Sequence, residues 1–247
     1  MDKQQVGIIG VGAFGEFMLK YLIPYFNVVV CDRHRDLSQI EKSYNLKVDT
    51  LEAVCASDIV VLCVPVNHLA DAAADIKNFI KPGQLVIDLC SVKCMPIKIL
   101  QDAFDKDVEL LSLHPLFGPK SGKFGIHGMN VALCNINSKR AACVTDFLTK
   151  TLGLVVHETT PERHDQEMAY VQGLTHMIAK IFTYMDIPEI HQKTKTYTLL
   201  DEMVEMIRYD SEELFNAIQR DNPYVDGTKQ KFFAAVRALE ERLAKTS

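Results

Sequence analysis

The sequence predicts an α/β chain in which a doubly wound, mostly parallel sheet is followed by a smaller all-helical domain. Three observations predict it. Short, nearly continuous apolar runs alternate with helical stretches over residues 1–158. After "LVVHETT" the strand-like runs stop, and residues 159–247 show helical periodicity. A glycine-rich turn, Gly10-Val11-Gly12-Ala13-Phe14-Gly15, stands between the first strand and the first helix.

The elements come in order. "QVGIIG" is strand-like, and "FGEFMLKYLI" has helical spacing up to Pro24. "NVVVCD" and "DIVVLCVP" are strands, and "LADAAADIKNFI" is a helix broken by "KPG". "QLVIDLCS", "VELLSLHP" and "MNVALCN" are further strands, and "AACVTDFLTKTLG" is a helix closing on Gly153. Runs that do not alternate apolar with polar belong to a sheet covered on both faces. This βαβ series is the Rossmann-type plan. Thr160-Pro161 reads as N-cap and first helical position of the next segment. "ERHDQEMAYVQGLTHMIAKIFTYMD", "KTYTLLDEMVEMIRYDSEELFNAIQRDN" and "GTKQKFFAAVRALEERLAK" are the expected helices. Their apolar residues (Met177, Ile178, Ile181, Phe182, Leu199 and Leu200 among them) exceed what a small bundle buries, so a homodimer joined through the helical domain is expected.

Bulk composition narrows the function. The chain has 247 residues, a net charge of −5 and 24% charged residues. An acidic balance argues against a nucleic-acid surface. No apolar run approaches the roughly 20 residues of a membrane span, and the start "MDKQQVGIIGVG" carries no secretion signal. A cytoplasmic protein is expected. Seven cysteines form no C-x-x-C pair, and the eight histidines show no ligand spacing. Reduced core thiols and no metal are expected.

The glycine turn has the context that a dinucleotide site needs. Gly10 allows the tight turn, Gly12 lets backbone approach a pyrophosphate, Gly15 lets helix and strand pack, and Ala13 and Phe14 open the helix. The second strand ends at Asp32, twenty residues beyond Gly12, where a carboxylate binds the adenosine ribose hydroxyls. Asp32 points to NAD. Arg33 and Arg35, of the kind that hold a 2′-phosphate, leave NADP possible. Val64 and Pro65, closing "DIVVLCVP", are assigned to the cofactor as well.

Ser91 ends the strand "QLVIDLCS", at the carboxyl end where ligands collect, and can donate to nicotinamide or substrate. It can equally cap the helix after it. Lys93 reads as a solvated residue. "HPLFGPKSGKFG" comes after the strand "VELLSL", so His114 stands beside the same cleft. An imidazole there can take a proton from an alcohol while hydride leaves the same carbon. The loop is not a P-loop, because Gly118 is one residue too near Gly122-Lys123 and Phe124 replaces the hydroxyl. Lys123 and Gly125 are candidate substrate contacts. In the helical part Gln172 and His176 are i and i+4 with Thr175 adjacent, a polar face for a ligand or for inter-helix hydrogen bonds.

"GVGAFG", "DLCSVK", "HPLFGPKSGKFG" and "VQGLTH", in this order, resemble the prephenate/arogenate dehydrogenases of tyrosine biosynthesis, the plant-type arogenate branch above all. The resemblance implies NAD(P)-dependent oxidative decarboxylation of a cyclohexadienyl ring. It implies that His114 is the catalytic histidine, that Ser91 supports it and the nicotinamide, and that His176 faces the substrate. It also implies interlocked dimers. Many prephenate-using relatives carry an arginine five residues before an aspartate; aligned on Asp210, that position is Glu205 here. Arg208 lies three residues on, about 60° round a helix. A carboxylate at Glu205 repels a keto-acid carboxylate and attracts an ammonium, which leans the reading towards arogenate.

Two other readings stand beside it. A β-hydroxyacid or imine reductase shares the domain plan, but the hydroxyacid branch expects G-x-x-x-K, and Gly173 is followed by Met177. A non-catalytic dinucleotide-binding regulator needs neither His114 nor Ser91.

Overall fold

The structure, a computed structural model, describes residues 3–245. It contains an eight-stranded sheet with the order β3-β2-β1-β4-β5-β6-β7-β8. The strands are β1 (Gln5–Ile9), β2 (Asn27–Cys31), β3 (Lys47–Val48), β4 (Ile59–Leu62), β5 (Leu85–Asp88), β6 (Glu109–Pro115), β7 (Asn130–Asn135) and β8 (Val155–Glu158). All neighbours pair parallel except β6 and β7. Central strands are buried along nearly their whole length, as in β4 and β5, which explains their unbroken apolar character.

Short helices make the crossovers: α1 (Ala13–Leu22), α2 (Ser38–Tyr44), α3 (Leu51–Cys55), α4 (Val66–Ile76), α5 (Cys94–Ala103) and α6 (Ala141–Asp146), the last running into a π-helical turn over Phe147–Thr151. Strand β3 and helices α2 and α3 escape the sequence reading because each is too short to show a period. A partly open cavity of about 170 Å³ lies between sheet residues such as Val6, Val61 and Ile87 and the helical residues Met18 and Phe147. Its walls are almost wholly apolar, so it belongs to packing rather than chemistry.

The chain divides into two compact units, residues 1–161 and 162–247. The second contains all but the first residue of α7 (Pro161–Met168), a π-helical stretch Ala169–Leu174, α8 (Thr175–Tyr184), α9 (Lys195–Ile207), α10 (Glu212–Asn216), a π turn Ala217–Asp221 and α11 (Val225–Ala244). The single helix expected over "KTYTLL…RDN" is broken, because Ser211 accepts the Leu214 N–H and starts a new helix. No helix among the described residues is long and apolar enough to cross a membrane.

Candidate active site

Sheet order puts the carboxyl ends of β1, β2, β4, β5 and β6 along one edge, and the order reverses between β1 and β4, where open α/β sheets bind ligands. The glycine turn sits there. Gly10 has φ +92°, and a Cβ on it would lie 2.6 Å from the Cys63 carbonyl oxygen. A Cβ on Gly15 would lie 2.4 Å from Gly10 O, so α1 packs against the turn only through glycine. Gly12 differs: nothing lies within 4 Å of where its Cβ would stand, and it caps α1 without a side-chain bond. The α1 N–H groups of Ala13 and Phe14 therefore begin beside open space. That is a cradle a pyrophosphate fits.

Asp32 comes directly after β2. Its Oδ2 accepts the Val11 N–H at 2.7 Å, and its Oδ1 accepts those of His34 and Arg35 at 2.8 and 2.9 Å. Partial burial pushes this carboxyl up, but the three backbone donors outweigh it and hold it below the usual carboxylate range. A carboxylate has about four acceptor sites, so one on Oδ2 is left for a ribose hydroxyl. Arg33 pairs with Asp75 at 3.1 Å, and Arg35 with Glu16 at 2.7 Å. Both arginines expected to leave room for NADP are thus answered by carboxylates. Val64 is half-buried, its Cγ1 3.1 Å from the Gly10 Cβ position, and Pro65 is the N-cap residue of α4.

At the next strand ends the structure overturns one expectation. Lys93 is not solvated: it is fully buried, as is Asp88, and their side chains pair at 2.8 Å. Ser91 does not cap a helix; α5 starts at Cys94 with Lys93 as N-cap residue, and Ser91 stays half-buried in the turn after β5. His114 is 4% exposed and pairs in register with Ala132 of β7.

The loop beyond it folds back on itself, with Gly122 N donating to Gly118 O at 2.8 Å and Gly125 N to Gly122 O at 3.0 Å. Phe117 and Ile126 anchor its ends in the core, and Gly125 has φ +128°, a backbone state glycine alone adopts freely. Lys123 and Gly125 are exposed, and Lys123 Nζ lies 4.7 Å from the Phe124 ring centre. The seven cysteines are free; burial pushes the Cys31 and Cys63 thiols up to about 12.

In the second unit His176 is buried, which pushes its pKa down to about 4 and keeps the ring neutral. Its Nδ1 lies 3.8 Å from Asp210 Oδ2, beyond hydrogen-bond reach, across a cavity of about 30 Å³ also lined by Lys180, Arg208 and Phe215. Glu205 is exposed and pairs with Arg208 at 2.8 Å. Gln172 is half-buried in the π-helical stretch, and the Thr175 hydroxyl donates to Val171 O at 2.5 Å. The ion pair of Lys93 and the place of Asp210 beside His176 are what sequence reasoning missed. Both residues lie close in sequence to residues it singled out, but their partners are distant.

A glycine-turn nucleotide cradle with an ionisable group on the same sheet edge defines an NAD(P)-dependent oxidoreductase. The family described as "Prephenate dehydrogenase, nucleotide-binding domain" matches residues 25–157, more than half of the sequence, and the chain belongs to it. Arogenate dehydrogenase 2, chloroplastic, of Arabidopsis thaliana is 26% identical over 97% of this chain and 70% of its own length. Arogenate dehydrogenase 1, chloroplastic, of the same plant is 24% identical over 98% of this chain, which spans only 39% of that protein. The crystal structure of prephenate dehydrogenase from A. aeolicus with hydroxyphenyl propionate and NAD+ has the same fold, with a TM-score of 0.76 and 20% identity over 99% of this chain and 92% of that one.

Proposed function

We propose that the chain oxidises and decarboxylates a cyclohexadienyl substrate, arogenate in preference to prephenate, with NAD as hydride acceptor. The observation that carries the reading is that His114, at the end of β6, and Ser91, after β5, share a sheet edge with the Gly10–Gly15 turn. Bound NAD supplies the hydride acceptor. His114 takes the proton of the ring hydroxyl as hydride leaves that carbon, and the ring carboxylate departs as carbon dioxide, leaving an aromatic ring. Ser91 orients His114 and the nicotinamide amide. Gly10, Gly12, Ala13, Phe14 and Gly15 hold the diphosphate, Asp32 the ribose, and Val64 and Pro65 the nucleotide's inner edge. Lys123 and Gly125 contact substrate from the loop.

Two features support arogenate. The carboxylate beside His176 is that of Asp210, and the nearest arginine, Arg208, already answers Glu205. An ammonium is favoured there over a second carboxylate. Carboxylates paired with both Arg33 and Arg35 support NAD over NADP. Exposed Phe233, Val236, Leu239 and Leu243 on α11 support a homodimer through the helical unit, and seven free cysteines suit the cytosol.

Absorbance at 340 nm with each substrate and each cofactor tests the reading. Turnover with arogenate and NAD at the highest kcat/KM supports it. No turnover with arogenate or prephenate removes it.

A further inference from the structure

Lys93 stands two residues after Ser91, and its Nζ donates to three acceptors: Asp88 Oδ1 at 2.8 Å, Ser112 Oγ at 2.7 Å and Leu113 O at 2.8 Å. The ladder explains why that carbonyl needs a donor. Strand β5 pairs with β6 only as far as Asp88↔Ser112, whereas β6 runs on to Pro115. Leu116 N donates to Asn130 O and Ile136 N to Leu110 O, so even-numbered residues of β6 bond β7. By the alternation of an antiparallel pair, odd-numbered residues turn their backbone groups towards β5. At Leu113 the β5 partner is gone. Lys93 takes its place, and its ammonium extends the ladder by one residue, immediately before His114.

A buried ammonium–carboxylate pair is a costly way to fill space, since hydrocarbon of the same volume packs as well without the desolvation. Hydrocarbon, however, would leave the Leu113 carbonyl without a donor. We propose that Lys93, held by Asp88 and Ser112, is a positioning residue for His114. It pins the backbone on which the imidazole stands while the turn bearing Ser91 is tied to the same point. The proposal rests on the function proposed above, in which His114 takes the proton.

The test compares wild type with Ser112→Ala and with the paired change Asp88→Asn/Lys93→Met, which removes both charges together. Three quantities are read: kcat and KM with arogenate and NAD, the NAD dissociation constant by calorimetry, and amide hydrogen exchange at His114 and Leu116. Small misplacement of a reacting group costs up to about 100-fold. The paired variant is therefore expected to lose about 10- to 100-fold in kcat, with KM and NAD affinity within about threefold and faster exchange at both amides. Ser112→Ala, which keeps the ion pair and the fold, is expected to lose about three- to tenfold in kcat with the same signature. A kcat within about twofold of wild type, a loss confined to KM or NAD affinity, or unchanged exchange overturns the proposal. If the paired variant does not fold, Ser112→Ala decides by the same criteria. If wild type turns over neither ring substrate, the functional reading fails by itself, and the exchange rates alone decide whether Lys93 holds the backbone of His114.

Discussion

Arg35 reaches over the glycine turn to Glu16: Nη2 lies 2.7 Å from Glu16 Oε2, while Nη1 donates to Val11 O at 2.6 Å. The residue best placed to bind a 2′-phosphate is occupied by a carboxylate from the first turn of α1. Glu16→Gln releases that guanidinium. Because both partners are partly exposed, the pair is weak. The expected gain in the NADP-to-NAD ratio of kcat/KM is about three- to fivefold, read from initial rates. An unchanged ratio would show that the bond to Val11 O alone keeps Arg35 in place.

His114→Asn keeps a polar side chain of similar size but removes the proton acceptor. General acid–base catalysis contributes about 10²- to 10⁴-fold, and kcat with arogenate is expected to fall by that order. The NAD dissociation constant, measured by calorimetry, is expected to stay within about twofold. Weakened NAD binding with unchanged kcat would assign His114 to the cofactor instead.

His176 makes stability depend on pH with a definite sign. Its folded pKa, about 4, lies below the ordinary histidine value of 6.5. Between those pH values the unfolded chain binds a proton that the folded chain does not, so stability rises with pH across this window and is level above it. The shift corresponds to about 3–4 kcal/mol at most. Urea unfolding at pH 4.5 and pH 7 is expected to show a smaller difference for His176→Gln than for wild type. Equal differences would mean that the ring is solvated in the folded chain.

Val236, Leu239 and Leu243 recur on α11 at helical spacing and are all exposed, a stripe that a second copy would cover. Leu239→Glu with Leu243→Glu is expected to halve the mass seen by ultracentrifugation while leaving the far-ultraviolet circular dichroism unchanged. A dimer that survives both changes uses another surface.

Much of the nucleotide half is legible in the sequence because its determinants are local. Gly10, Gly12 and Gly15 encode one turn, and the twenty residues to Asp32 encode one βαβ step. Helices α2 and α3, at 7 and 5 residues, carry too few turns to show a period. The break at Ser211 is hidden because helical spacing runs through it, and only the cap bond to Leu214 N reveals it.

Residue order alone is enough to say that His114 ends a strand and that a nucleotide turn opens the chain, because strand ends and tight turns are set by neighbours a few residues away. The position of Lys93 is fixed only by the folded chain, since its acceptors lie 5, 19 and 20 residues off on two strands. Folding likewise puts Asp210 beside His176 and pairs Glu205 with Arg208. A charged side chain in a turn looks solvated until the fold brings distant acceptors to it, and no periodicity along the chain records that meeting.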